Sequence, residues 1–391
     1  MVLRKQDTLC KGDWSIHVHN DLSAFSGYWP AATSVTPARR YVFQCADVLD
    51  VWLRTIGRRR KFSPQLVAVL DSGGSPLLLL PLCLEQRHGS TVLKFIDGDV
   101  SDYNAPIVFP AARDWDAAKV EVLWEDLKKR LPAFDLALLE KMPTVVEDWP
   151  NPMRFLSTGA YSENGHWMTL PADWDAAEKS ILPDPSGSRR RTRKLAALGE
   201  VSFSVARTEE EAQAYLKALM EMKGAQFRRT LGYDRFVHEI GYAHYYVQAT
   251  QSMFRNGSVN VSALAVNATI VAANWGYVVG ERFYGLMSSY RGDPEWKPYA
   301  PGRLLNEFQM KWGSRQGLKT FDLGVGDEPY KVRYAHVHVP LREACLPMTV
   351  KGLMLVLARS AKNQAAASLE GTQLKESLKE AVRGARVLLH R

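Results

Sequence analysis

Tyr299-Ala-Pro-Gly-Arg-Leu-Leu305, a helical run to Gly317, and then Phe321-Asp-Leu-Gly-Val-Gly-Asp-Glu-Pro-Tyr-Lys331 form the stretch that decides the fold. Pro301 suits the first turn of a helix, where its missing N–H costs nothing, and Gly302 lets a ligand approach the backbone. The N-terminus of such a helix carries unpaired donors and a partial positive charge, so it is a ready anion site. Leu305, Phe308 and Trp312 recur at helical spacing, and Gly317 is placed to end the helix. From Lys319 to Leu323 the pattern changes to a short strand, with Phe321 and Leu323 on one face and Asp322 on the other. The turn beyond brings together Asp327, Glu328, Tyr330 and Lys331. Taken alone, this is also the pattern of an ordinary helix–loop–strand with a solvated polar turn.

Working outward, the chain reads as two halves of similar plan. In the first, a helix is expected from Ala46 to Gly57, with Val48, Leu49, Trp52, Leu53 and Ile56 on one face. A hairpin follows from Gln65–Leu70 and Leu77–Leu84 around Ser72-Gly-Gly-Ser75, then a short strand at Leu93–Ile96. A second helix spans Asp116–Leu131 and a strand returns at Leu136–Leu139. Prolines from Pro143 to Pro152 mark a connection. In the second half, Thr208 and Glu211 make a capping box ahead of a helix burying Tyr215, Leu216, Leu219 and Met220. Three strands, Ser258–Val266, Thr269–Val278 and Arg282–Ser289, then precede the Pro301 helix and the Phe321 strand. Hairpin strands mixed with helices describe an α/β layer structure.

These motifs resemble the signature of the CelD-like acyltransferases, bacterial proteins of the GNAT superfamily related to the Fem-type aminoacyltransferases. The same resemblance is carried by Tyr41-Val-Phe-Gln-Cys45, Ser101-Asp-Tyr-Asn-Ala-Pro106, the basic stretch Arg189–Lys194 and Lys223-Gly-Ala-Gln-Phe-Arg228, and it covers about residues 40 to 345. It implies two tandem GNAT-like units, each a mixed, mostly antiparallel sheet flanked by helices. Residues 1–165 would be the first, 166–347 the acyltransferase unit, and 348–391 a basic helical tail. It implies a donor of acetyl-CoA or another acyl-CoA, held by Tyr299, Pro301, Gly302, Arg303, Leu304 and Lys331. One departure stands out: the Arg/Gln-x-x-Gly-x-Gly/Ala loop usual in enzymes that bind acetyl-CoA is absent, and only Pro301-Gly302-Arg303 occupies its place. The acceptor would be an amine or hydroxyl on a small molecule, a glycan or a cell-envelope precursor. Two alternatives belong to the same resemblance: a Fem-type transfer from aminoacyl-tRNA, and a non-catalytic partner in envelope or polysaccharide assembly.

Acyl transfer to an amine needs a proton acceptor, a donor for the tetrahedral oxyanion, and a proton for the leaving thiolate. Asp322, Asp327 and Glu328 are the candidate bases. Asp322 ranks first because a strand holds geometry better than a turn, although pairing with an arginine is an equally ordinary role for it. Backbone N–H groups around Leu286–Ser288 are candidates for the oxyanion, and Tyr330 or Tyr299 for the leaving group. Arg303 and Lys331 suit phosphate or carboxylate contacts.

Composition fits a soluble, enzyme-sized protein: 391 residues, 46% hydrophobic and 24% charged, with a net charge of +8. Roughly +5 of that lies between Lys351 and Arg391. Neither basic run, Arg58–Lys61 or Arg189–Lys194, contains an aromatic residue, so no nucleic-acid partner is expected outside the tRNA alternative. Cys10, Cys45, Cys83 and Cys345 are scattered, which argues against zinc and against a disulfide framework. His17 and His19, like His336 and His338, are two apart with no third ligand evident, so no metal is expected. The N-terminus lacks the apolar core of a secretory signal, and the apolar runs are shorter than the roughly 18–20 residues that span a bilayer. A cytoplasmic location is the default expectation, with peripheral membrane contact open to the tail, whose expected helix runs from Leu374 to His390.

Overall fold

The computed structural model describes residues 11–25, 27–60, 62–87 and 89–368. In chain order the principal elements are β1 (Trp14–His19), α1 (Ala46–Trp52), β2 (Ser63–Asp71), β3 (Pro76–Arg87), β4 (Ser90–Phe95), α2 (Ala117–Arg130) and β5 (Leu136–Pro143). There follow β6 (Gly165–Thr169), α3 (Trp174–Ile181), α4 (Pro185–Ala196), β7 (Val201–Val205), α5 (Glu209–Leu231), α6 (Tyr242–Met253), β8 (Val259–Val266), β9 (Thr269–Val279) and β10 (Arg282–Tyr290). The last are α7 (Pro301–Arg315), β11 (Thr320–Val325), α8 (Pro329–Tyr334), β12 (Val337–Val339), β13 (Leu341–Pro347) and α9 (Val350–Ser368). The chain divides into two compact units, one of residues 1–164 and 339–365 and one containing 165–338.

The first unit is built on a sheet in the order β1-β2-β3-β4-β5-β13. The Ser72-Gly-Gly-Ser75 turn closes the expected hairpin, and β2 and β3 pair antiparallel with both faces almost wholly buried. Their continuous apolar run, in place of alternation, reflects a sheet covered on both sides. Strands β4 and β5 run parallel but pair only at Val92–Leu136 and Leu93–Ala137. Beyond that point the Asp97–Asn104 loop is bonded to β5. The Asn104 N–H reaches the Lys141 carbonyl at 3.0 Å, its side-chain amide reaches the Glu140 carbonyl at 3.0 Å, and Lys141 Nζ lies 3.0 Å from Asp97. Cys45 and Cys83 are buried free thiols, pushed up to about 12 by burial.

One boundary differs from the sequence expectation. Residues 341–347, counted with the second domain in the sequence, form β13, which pairs antiparallel with β5 of the first sheet, from Leu341–Pro143 to Pro347–Leu136. Nothing in a strand's own alternation says which sheet edge it will fill. The proline-rich passage 143–152, read as a connection between the halves, folds within the first unit as a two-stranded ribbon, Val145–Val146 with Trp149–Pro150, and a 3-10 turn; the division falls between Asn164 and Gly165, beside the boundary given for the first domain. The tail opens as α9, with Leu355 and Val356 packed on Val92, Leu136 and Leu138 and with Val350, Leu353, Met354 and Leu357 exposed. The helix expected at Leu374–His390 and Cys10 lie outside the described residues.

The second unit carries a seven-stranded sheet, β7-β8-β9-β10-β11-β6-β12. Its first four strands pair antiparallel; α5 and α6 lie between β7 and β8 in the chain, and β8, β9 and β10 follow as a meander with a tight turn at Asn267, φ +53°. The chain then crosses through α7 and returns as β11, parallel to β10. Phe283, Phe321, Leu323, Met168 and Met310 form one core cluster with Trp174 of α3; Leu195, Leu264, Leu304 and Leu305 form another under α7. The expected capping box is present in part: Thr208 accepts the Glu211 N–H at 3.2 Å, while the Glu211 carboxylate accepts from Arg207 at 2.7 Å.

A stability prediction follows for the first unit. Burial raises the Asp97 carboxyl, but the charge of Lys141 and bonds from Asn104 outweigh it, so its pKa lies below the ordinary value. The same pairing overcomes burial at Lys141 and raises the ammonium. A depressed carboxyl stabilises the fold above its unfolded pKa and loses that contribution as pH falls through the folded value; a raised lysine contributes below about pH 10. Lys141→Met strands a buried carboxylate and is expected to cost about 3–5 kcal/mol in urea unfolding. The loss should shrink on acidification below about pH 4, where Asp97 can be neutralised. An unchanged urea midpoint at neutral pH would contradict this account.

Candidate functional site

The second sheet opens along its parallel seam. Strands β10 and β11 pair at Arg282–Thr320, Phe283–Phe321 and Tyr284–Asp322, and no further. Past those pairs, Gly285–Tyr290 and Leu323–Val325 diverge. Both strands are irregular where they part. Opposite β9, Trp275 faces Met287 and Gly276 faces Gly285, which leaves Leu286 as an extra residue. Opposite β6, Asp322 faces Trp167 and Gly324 faces His166, which leaves Leu323 extra. Bulges of this kind bend a strand and turn backbone groups out of the ladder. The Leu286 bulge lies within the segment expected to supply an oxyanion donor.

Helix α7 begins beside the open end. Its N-cap, Ala300, takes a left-handed conformation with φ +49° and contributes no side-chain cap. Pro301 has no N–H, and a Cβ built on Gly302 would sit 2.7 Å from the Tyr290 ring, so only glycine allows β10 and this turn to approach so closely. Of the other residues expected around the donor, Leu304 is buried in the core beneath the helix and Tyr299 packs against that core. Arg303 is fully engaged: Nε donates to Glu307 at 2.9 Å, Nη2 donates to the Asp184 carbonyl at 3.1 Å and Ser188 Oγ at 3.0 Å, and Nη1 donates to the Asp184 carboxylate at 3.4 Å. Glu307 also accepts from Tyr334, which with burial drives that phenol's pKa upward. Arg303 therefore ties α7 to the start of α4. The basic helix α4 lines a cavity of about 610 Å³ with α7, through Arg189 and Arg193 on one side and Leu304, Glu307 and Lys311 on the other.

The three carboxylates occupy different environments. Asp322 is buried at 1% exposure; one oxygen accepts from Arg282 at 2.6 and 3.1 Å, and the other accepts the Gly324 N–H at 2.8 Å. It clamps the closed end of the seam. Asp327, half-exposed, accepts from Nε2 of His166 at 2.7 Å, and Nδ1 of His166 lies 2.9 Å from Nδ1 of His338. His166 is buried and His338 exposed. Glu328 pairs with Lys331 at 3.1 Å, and Lys331, also buried, donates to the Val325 carbonyl at the end of β11. Tyr330 stands exposed on α8. Asp327, Glu328, Tyr330 and Lys331 are thus grouped just past β11, and Asp322 is held apart from them in its ion pair.

Two residues beside the site were not assigned to it from the sequence. His166 sits on a five-residue strand with no motif around it. Lys223 did carry a signal: it lies four residues after Leu219 and seven after Leu216, on the apolar stripe of α5, where a charge is unexpected. Its Nζ reaches the Ser288 carbonyl at 3.4 Å and lies over the Phe227 ring at 5.4 Å. Burial, then the charge of Lys331, push its pKa down to about 8. Among the described residues no group of three or more ligating side chains converges as a metal site would require.

Residues 186–332 match the family described as Acetyltransferase (GNAT) domain. No curated protein sequence matches the chain. Among solved structures, a conserved protein of unknown function from Bacteroides thetaiotaomicron VPI-5482 is similar with a TM-score of 0.52 at 13% identity, covering 85% of this chain and 100% of that one. FemX is similar with a TM-score of 0.55 at 10% identity, covering 81% of this chain and 95% of its own. A tandem GNAT protein from the clavulanic acid biosynthesis pathway gives 0.45 at 14% identity, covering 85% and 98%.

Two measurements check the site. Asp322→Asn leaves Arg282 without its counter-charge and is expected to destabilise the second unit by about 3 kcal/mol; a variant that unfolds like the parent would show that the pair is not a clamp. With Asp327 ionised and both rings neutral, Nε2 of His166 must carry the proton. Its Nδ1 then accepts from Nδ1–H of His338. Nitrogen-15 NMR should find His166 as the Nε2–H tautomer and His338 as Nδ1–H, with both preferences lost in Asp327→Ala.

Proposed function

We propose, on the premise that the chain carries an acetyltransferase (GNAT) domain, that the second unit moves an acyl group from acyl-CoA to an amine or hydroxyl acceptor. The observation that carries this reading is the parallel β10–β11 seam that opens after three residue pairs beside an uncapped helix N-terminus. A gap between two strands offers backbone groups on both lips to an extended chain, and the start of α7 offers the Gly302 N–H and the positive end of the helix dipole to phosphate, the Arg303 and Leu304 N–H groups donating to the Ala300 carbonyl at 3.0 and 3.2 Å. The residues present suit such a donor. With Arg303 committed to Asp184, Ser188 and Glu307, phosphate recognition falls to the start of the helix itself.

In this reading the thioester carbonyl lies at the Leu286 bulge, where a backbone N–H stabilises the tetrahedral oxyanion. Asp327 or Glu328 takes the proton that an ammonium acceptor must lose before its nitrogen can attack. The C–S bond then breaks, and Tyr330 protonates the thiolate, whose ordinary pKa of about 8.5 demands little of the acid. Asp322 contributes by holding the seam closed below the reacting groups. Tyr299 and Leu304 support the α7 turn from its core side.

For the acceptor we propose a sugar, amino acid or envelope precursor, in keeping with the CelD-like resemblance of the sequence. The setting we propose is cytoplasmic; no helix among the described residues is long and apolar enough to cross a membrane. Transfer from aminoacyl-tRNA is the second reading, suggested by the fold shared with FemX.

Calorimetry separates the two. Acetyl-CoA or a longer acyl-CoA is expected to bind, and Gly302→Asp, which adds bulk and negative charge at the helix start, should weaken it at least about tenfold, or 1.4 kcal/mol. Binding of aminoacyl-tRNA with no acyl-CoA binding would replace the first reading by the second.

A further inference from the structure

The two lips of the open seam each carry an ammonium. Lys223, from α5, bonds the Ser288 carbonyl on the β10 lip; Lys331, from α8, bonds the Val325 carbonyl on the β11 lip. Lys331 has a carboxylate of its own in Glu328. Lys223 has none: its contacts are the carbonyl at 3.4 Å and the Phe227 ring, and no described carboxylate lies within ion-pair distance. The other charges bearing on it are Lys331, Glu328 and Arg235, and Arg235 is already held by both oxygens of Glu239, at 2.6 and 2.7 Å. A half-buried ammonium that faces a second cation and lacks a counter-ion is costly, and the cost is relieved either by losing the proton or by binding an anion. In the free protein burial and the charge of Lys331 lower its pKa to about 8.

We propose that Lys223 and Lys331 bind an anionic group, a carboxylate or phosphate, of the acceptor, so that the substrate of this site is an amine or alcohol that also carries an acid group. This rests on the reading that the seam receives the thioester. That reading places the phosphates of the donor at the α7 N-terminus and its uncharged acyl end between the strands. An anion at the lips then belongs to the molecule arriving opposite. The two lysines orient it by charge, and the nucleophile is directed into the gap toward the Leu286 bulge. Because Lys223 titrates near pH 8, its share of the binding strengthens as pH falls through that value and weakens above it.

The test has two arms. In the first, lysine side-chain NMR follows Lys223, assigned with Lys223→Met, during titration with acetate and with inorganic phosphate, with and without acetyl-CoA. The Lys223 pKa should rise by about one unit on anion binding, a tenfold gain in affinity for the charged form, and Lys331→Met should reduce the effect. If the rise occurs with phosphate alone and vanishes once acetyl-CoA is bound, the lysines serve the donor and the proposal is overturned. No change with either anion also overturns it. In the second arm, acetyl transfer is compared for matched acceptors, L-alanine against ethylamine and L-lysine against cadaverine. The acid-bearing member should be preferred about tenfold or more in kcat/KM. Lys223→Met should raise KM with little change in kcat, and Lys223→Arg, which keeps the charge but cannot act as a base, should retain most of the activity. Equal damage from Met and Arg, falling on kcat, would make Lys223 a base and end the proposal. Failure of the parent protein to bind any acyl-CoA would instead refute the donor reading, with the anion titration still deciding the role of the lysines.

Discussion

The second unit depends on the brevity of one parallel pairing. Three residue pairs join β10 to β11, and the strands then part because each carries an extra residue, Leu286 and Leu323, that the neighbouring antiparallel strand does not match. A continuous ladder would satisfy the backbone of both strands and leave no gap. The divergence is held by charge as well as by register. Asp322 fixes Arg282 with one oxygen and, with the other, the Gly324 N–H, which turns the backbone of β11 just past the last pair. The carboxylate that sequence reasoning placed first among the bases is in this account what keeps the bases in place.

The first unit shows what the same plan looks like when the opening is filled. Its strands β4 and β5 are also parallel and pair over an even shorter stretch, at two positions, with a helix between them in the chain. There the Asp97–Asn104 loop is bonded along β5, and the buried Asp97–Lys141 pair anchors it. Helix α2 begins at Asp116, whose side chain accepts the Lys119 N–H at 2.9 Å. An Asp cap occupies the donors of a helix start and sets a negative charge there, which disfavours a phosphate. Helix α7 has neither the cap nor the charge.

Local chemistry was legible in the sequence; partnership was not. The 3.6-residue period of Leu305, Phe308 and Trp312, the hairpin glycines and the Pro301-Gly302 start fixed the elements near the seam because each signal acts within a few residues. The alternation of Phe321, Asp322 and Leu323 correctly separated the faces of β11. It could not say that Arg282, 40 residues earlier, would meet Asp322, since a parallel return is set by the crossover helix. Strand β6, with His166, escaped for the same reason: five residues have too little period to announce a strand, and its pairing with β11 spans more than 150 residues. Strand β13 was not identified in the sequence, and its place in the first sheet could not be, because an edge is chosen by what remains unpaired elsewhere.

Lys223 lies between these cases. A lysine on the apolar stripe of α5 is visible in the sequence as a local inconsistency, and such conflicts tend to mark sites where stability has been given up for function. What the sequence lacks is the reason the conflict persists. In the fold, α5 sets this ammonium against the Ser288 carbonyl on the diverging part of β10, where the missing ladder partner has left an acceptor unmatched by β11. The same brevity of pairing that opens the seam therefore supplies the carbonyls on which both lysines rest, Ser288 on one lip and Val325 on the other. Lengthening the β10–β11 ladder would consume those acceptors and close the gap together, so the cationic lips and the opening are consequences of one structural feature.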